Sequence, residues 1–189
     1  QLVSLDCESI DHQEITNYIF NKLTHSLNDF FDALDNCCGR FVCFYSLGDA
    51  VHVLNDATGM KSIYYTSSPY PAVASHSFIL HNYFEKPLSK ECNDFLTHAK
   101  PKTYNMSFLP GHSSRYDDIR ILVPNNQLDL NNGKLHRYFP RQELHSLSST
   151  CVVDTACRYF LELMEKFSRI KPLAISLTAG LDSRLTEIN

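Results

Sequence analysis

Gly39-Arg40-Phe41-Val42-Cys43-Phe44-Tyr45-Ser46, then Leu47-Gly48-Asp49, then Val51-His52-Val53-Leu54-Asn55, is where the hydrophobic period of the chain changes. In residues 40–46 aromatic and apolar side chains alternate with a period of two, which predicts a strand. Leu47-Gly48-Asp49 reads as a tight turn and residues 51–55 as the returning strand. Asp56-Ala57-Thr58-Gly59 is a second turn, in which Asp56 can close an Asx-type turn and Gly59 can take a positive φ. Residues 61–66 and 72–75 predict two further strands. Strands this close together, joined by short turns, imply an antiparallel meander.

Upstream the period is helical. Ile15, Ile19, Leu23, Leu27, Phe30, Phe31 and Leu34 share one face, predicting a single helix over 11–34. Asp11 with Glu14 suggests a capping box, and Gly39 marks the exit. Downstream, 76–84 and 89–100 read as helices and 101–117 as irregular. Residues 119–123 and 127–130 read as strands around Pro124-Asn125-Asn126, with Asn131-Asn132-Gly133 as a turn and 136–141 as a further extended segment. A Ser- and Leu-rich linker at 145–149 sets the expected boundary between a first domain, 1–145, and the beginning of a second, 146–189.

The second segment opens on the clearest helix, 150–170, with Val152, Val153, Ala156, Phe160, Leu163, Met164 and Phe167 on one face. Lys166, Arg169 and Lys171 suit the negative end of its dipole, and Pro172 blocks its continuation. Residues 173–177 form a short apolar run, expected to be a buried strand. It leads into Thr178-Ala179-Gly180-Leu181-Asp182-Ser183 and the expected start of another helix. Helix, buried strand, polar loop and helix is the opening of an α/β nucleotide-binding domain. One parallel strand cannot satisfy its own backbone, so a longer parent protein, or a stub packed on the first domain, is expected.

Of the 189 residues 43% are hydrophobic and 12% aromatic, which suits a globular core. A net charge of -4, from 17 basic and 21 acidic residues, argues against a nucleic-acid or membrane-surface partner. No apolar run reaches the length of a membrane span, and residues 1–6 lack the pattern of a secretion signal. The first residue is not Met, so the start of the gene product is expected to lie upstream. Seven cysteines, an odd number without zinc or disulfide spacing, suggest reduced thiols in a cytoplasmic protein. The nine histidines show no metal-ligand spacing either.

The loop at 178–183 carries the sharpest chemistry. Backbone N–H groups at a helix start form an anion cradle. Ala179 and Gly180 are small enough for phosphate oxygens to approach the backbone, and Thr178 and Ser183 supply hydroxyl donors. A kinase-type P-loop is excluded, because no Lys stands at its required position.

Ser176-Leu177-Thr178-Ala179-Gly180-Leu181-Asp182-Ser183 resembles the pyrophosphate-binding loop of the asparagine synthetase family, normally Ser-Gly-Gly-Leu-Asp-Ser, with Thr178 and Ala179 replacing the first Ser and Gly. Gly39-Arg40-Phe41-Val42, with Asp56-Ala57-Thr58-Gly59-Met60-Lys61-Ser62-Ile63-Tyr64-Tyr65, resembles the Gly-x-Phe strand and the Asp-x-x-Gly-x-Lys-Pro-Leu-Tyr-Tyr segment of that family's amidotransferase domain. Ser62 stands where Pro is usual, and Asn55 where Arg often precedes the Asp. Ala74-Ser75-His76 is similar to the Ala-Ser-Glu that follows. Residues 122–130 and Tyr138-Phe139 resemble the Leu-Pro-Pro-Gly-His segment and the Tyr-Trp pair near the end of that domain. The motifs fall in family order over residues 10–189.

The resemblance implies an α+β fold: an N-terminal-nucleophile-type αββα sandwich with antiparallel sheets, then the first helix, strand and loop of an α/β nucleotide-binding domain. It implies a parent that is an ATP- and Mg2+-dependent amide ligase, adenylating a carboxylate substrate and then amidating it. Thr178, Ala179, Gly180, Asp182 and Ser183 would bind the pyrophosphate part of ATP. Asp11 aligns with the Asp that holds the glutamine amine, although helix capping accounts for it equally well. The family's N-terminal Cys nucleophile has no counterpart, so no catalytic residue is assigned and glutamine remains an open partner, as does a second copy of the chain in a homodimer. Cys7 would serve only after removal of six residues, and Cys7-Glu8-Ser9 does not resemble the family's Cys-Gly-Ile. The chain alone is expected to be inactive. The alternative is a non-catalytic scaffold or regulatory domain derived from a class II amidotransferase.

Overall fold

Ser26 divides the expected N-terminal helix in two. Its backbone is extended, at φ -159° and ψ 158°, so the α-helical hydrogen bonds cannot run through it. Instead it closes α1 (His12–His25) by donating its N–H to the Lys22 carbonyl, and opens α2 (Leu27–Asp35) by accepting from the Asp29 N–H. The apolar positions keep a helical spacing on both sides of this corner, so periodicity alone does not reveal it.

The computed structural model describes residues 2–98 and 109–172. Among them are five helices and nine strands, and all the paired strands with a recorded register run antiparallel. The protein is therefore mixed α plus β with antiparallel sheets. The described residues fall into two compact units, 39–98 with 109–145, and 2–38 with 146–172.

In the second of these units, β1 (Leu2–Ser4) pairs with β2 (Cys37–Gly39), and α1 packs on α2 and on β1. Ile15, Phe30, Phe31 and Val3 are buried at its centre, the two Phe rings 5.3 Å apart at 53°. The long helix α5 (Ser149–Ile170) also lies against β1. Apart from Thr155, its half-buried positions, among them Phe160, Leu163, Met164 and Phe167, fall in its C-terminal half, while Val152 and Val153 are exposed. Pro172 and the extended Lys171 end it, as the sequence predicts.

The unit of residues 39–145 holds two sheets. Strands β3 (Val42–Leu47) and β4 (Ala50–Asn55) form the expected hairpin. The meander then breaks, because β4 takes β8 (Asn126–Asp129) as its other neighbour, and β8 pairs with β9 (Leu135–Arg137). The three-stranded sheet is β6 (Ala72–Ala74), β5 (Tyr64–Thr66) and β7 (Arg120–Ile121), in that order. Val53 and Leu128 from one sheet and Tyr65 from the other bury with Ile63 and Leu122 in one apolar cluster. Helix α3 (Ser77–Phe84) lies on β5 and β6 through buried Leu80, and α4 (Lys90–His98) follows.

Val53 and Leu54 are consecutive on β4 and so point to opposite faces, yet both are 0% exposed. Both faces of the four-stranded sheet are thus covered at its centre.

Candidate functional site

The turn after β4 is built around a carboxylate. Asp56 is buried and accepts hydrogen bonds from the Thr58 hydroxyl at 2.7 Å, from the Met60 N–H at 3.0 Å and from the Lys61 N–H at 2.9 Å. Burial favours the neutral acid, but the bonds from Thr58, Lys61 and Met60 outweigh it and hold the carboxyl below its ordinary range. Gly59 takes φ +66°, and a Cβ there would stand 2.7 Å from Pro124 Cγ. The neighbouring Asn55 is buried, its amide nitrogen donating to the carbonyls of Lys61 at 3.3 Å and Leu122 at 3.5 Å. Asp56 and Gly59 thus shape the loop that leads from one sheet to the other, a structural role of the kind the sequence suggests.

Asp11 is the N-cap of α1: its Oδ1 accepts from the N–H groups of Gln13 at 2.9 Å and Glu14 at 3.0 Å. The other half of the expected capping box belongs to Ser9, whose hydroxyl accepts from the Asp11 N–H at 3.0 Å. This capping accounts for Asp11 without a ligand. Thr178, Ala179, Gly180, Asp182 and Ser183 lie outside the described residues.

None of the seven cysteines forms a disulfide. Cys7 is half-buried in the segment after β1, where Lys166 of α5 donates to its carbonyl and Arg169 to that of Glu8. Cys37 is buried and donates to the Ala33 carbonyl at 3.2 Å. Burial pushes the Cys43 thiol up to about 11, which keeps it protonated and poorly nucleophilic at neutral pH. No group of three or more His, Cys, Asp or Glu side chains suited to a metal occurs among the described residues.

A cleft of about 330 Å3 opens beside the three-stranded sheet, where sequence reasoning assigned no site. Tyr65, Ser67, Ser68, Asp118 and Arg120 line it, with Gly133 and Leu135 of the β8–β9 hairpin. Arg120 sits directly across from Tyr65 in the sheet, and its backbone is also bridged to Ser113. Burial raises the Tyr65 phenol above its ordinary range, and the adjacent Arg120 guanidinium only partly counters that, so the phenol keeps its proton at neutral pH. Asp118 pairs with Lys86 at 3.0 Å. Gly133 has φ +71°, and a Cβ on it would stand 2.5 Å from Ser67 Oγ, so only Gly lets the hairpin close against that edge. The cleft residues are scattered through the sequence, and only the pairing of β5 with β7 and of β8 with β9 brings them together.

Compared with protein-family models, curated proteins and solved structures, the chain matches none.

Proposed function

We propose that this chain is most of a degenerate class II amidotransferase-like domain, residues 1–145, followed by the first part of an ATP-pyrophosphatase-type synthetase domain, residues 146–189, from an ATP-dependent amide ligase of the asparagine synthetase kind. The observation that carries the reading is the loop Thr178-Ala179-Gly180-Leu181-Asp182-Ser183, which follows a long helix and an apolar run in the order a nucleotide-binding domain requires. The rest of the protein agrees with it in kind. Two antiparallel sheets sharing an apolar core, the larger covered on both faces at its centre, suit an αββα sandwich. The Asp56–Gly59 turn suits the family's Asp-x-x-Gly segment, since a buried carboxylate and a positive-φ glycine are what that spacing would be kept for.

On this reading the amides of residues 178–183 cradle the pyrophosphate part of ATP with Mg2+, and Asp182 orders the loop or helps to place the metal. The pocket for the carboxylate substrate and the rest of the nucleotide pocket would be supplied by downstream sequence. The test is calorimetric titration of Mg2+-ATP and of pyrophosphate into the protein of the parent's full reading frame. Saturable binding that weakens at least tenfold in Asp182→Ala is expected. Absence of binding in both proteins would reject the ligase.

A second reading, a non-catalytic scaffold, is favoured by the setting of Cys7. A nucleophile of this class needs a free α-amine on the cysteine itself. Releasing Cys7 as a terminus would remove β1, whose Val3 and Ser4 are 0% exposed. The strand that a maturation cut would discard is part of the core.

A further inference from the structure

We propose that the cleft beside β5 and β7 is an oxyanion-binding site, taking a small ligand that bears a carboxylate or a phosphate. The proposal stands apart from the nucleotide loop and does not depend on it.

Arg120 forms no ion pair with a carboxylate among the described residues, although Asp118 lines the same cleft. The Asp118 carboxylate is engaged instead by Lys86, whose side chain is only 13% exposed and therefore well held. The guanidinium is left as the uncompensated charge of the cleft. Its planar fork of donors matches the two oxygens of a carboxylate or phosphate.

Residues with neutral donors line the same cleft. The Tyr65 ring is fixed in the core, with its protonated phenol beside Arg120. The hydroxyls of Ser67 and Ser68 stand on the chain that leaves β5. One cation with three hydroxyl donors is a composition for binding an anion rather than an apolar ligand or a metal.

The site is also held in place before any ligand arrives. Arg120 is bridged on both sides, to Tyr65 and to Ser113, and follows buried Ile119. The hairpin at Gly133 abuts Ser67 so closely that a side chain there would displace it. A volume of about 330 Å3 falls at the lower end of ligand pockets, which run from roughly 300 to 1,000 Å3, so the ligand is small.

The experiment is a titration of the full chain, followed by backbone amide NMR shifts, with inorganic phosphate in one arm and glutarate in the other. At least one arm should give saturable shifts centred on residues 65–68, 118–120 and 133–135. The arm that binds more tightly identifies the source of the oxyanion. Affinity should fall at least tenfold in Arg120→Gln, and by a smaller factor in Ser67→Ala, while Lys61→Gln, outside the cleft, should leave it unchanged. Arg120 is an exposed residue, and a Tm within a few degrees of the parent would establish that its variant is folded. Failure of both arms to saturate, or equal affinity in the parent and a folded Arg120→Gln, overturns the proposal.

Discussion

Asp56 concentrates more structure than any other single side chain described above. Removing it in Asp56→Ala leaves the amides of Met60 and Lys61 without their acceptor in a buried turn, and should cost about 3 kcal/mol of stability, measured by urea denaturation. Its carboxyl is depressed because its hydrogen bonds outweigh burial, and Asp129 is depressed chiefly by the Asn131 N–H. A depressed carboxyl contributes stability above the pKa of the unfolded chain, about 4, and loses it as pH falls through the lower folded value. Denaturation midpoints should therefore drop steeply on acidification below about pH 4.5, and the slope should be shallower in Asp56→Asn. Gly59 sets the opposite constraint. Gly59→Ala must both hold a positive φ and push against Pro124, and should destabilise by about 2 kcal/mol or more in the same assay.

At the scale of elements, what was legible in the sequence is what is local. The β3–β4 hairpin follows from alternation and a Gly-containing turn, and α5 follows from its period and from Pro172. The corner at Ser26 was not legible, because a serine between two apolar faces in register looks like an exposed helix position. Ser26→Ala, which removes the α2 cap, should lower stability by about 1 kcal/mol in thermal denaturation. The sequence predicts one strand over residues 61–66, but the Lys61 N–H is drawn back to Asp56, and pairing begins at Tyr64. The β4–β8 partnership and the cleft beside β5 and β7 are invisible in the sequence for one reason. Register between distant strands depends on three-dimensional packing that no local window contains. The expected nucleotide loop lies outside the described residues.

At the scale of the molecule, the burial of β1 bears on whether Cys7 can become a terminus. A version lacking residues 1–6, and so beginning at Cys7, loses the buried Leu2 and Val3, each worth about 1.5–3 kcal/mol. It should melt well below the parent by circular dichroism and release no ammonia from glutamine. A folded, glutamine-hydrolysing product would instead make Cys7 a nucleophile.

The pairing of β4 with β8 also bears on how the protein is made. Strand β4 leaves the ribosome with one neighbour, β3, while the segment that will occupy its other side is still untranslated. At about 5–20 residues per second that vacancy lasts several seconds, during which the apolar edge around Val53 and Leu54 is open to strands of other nascent chains. Yield of the intact protein in cells should thus depend on translation speed between residues 56 and 126, a dependence that a finished, purified molecule would not reveal.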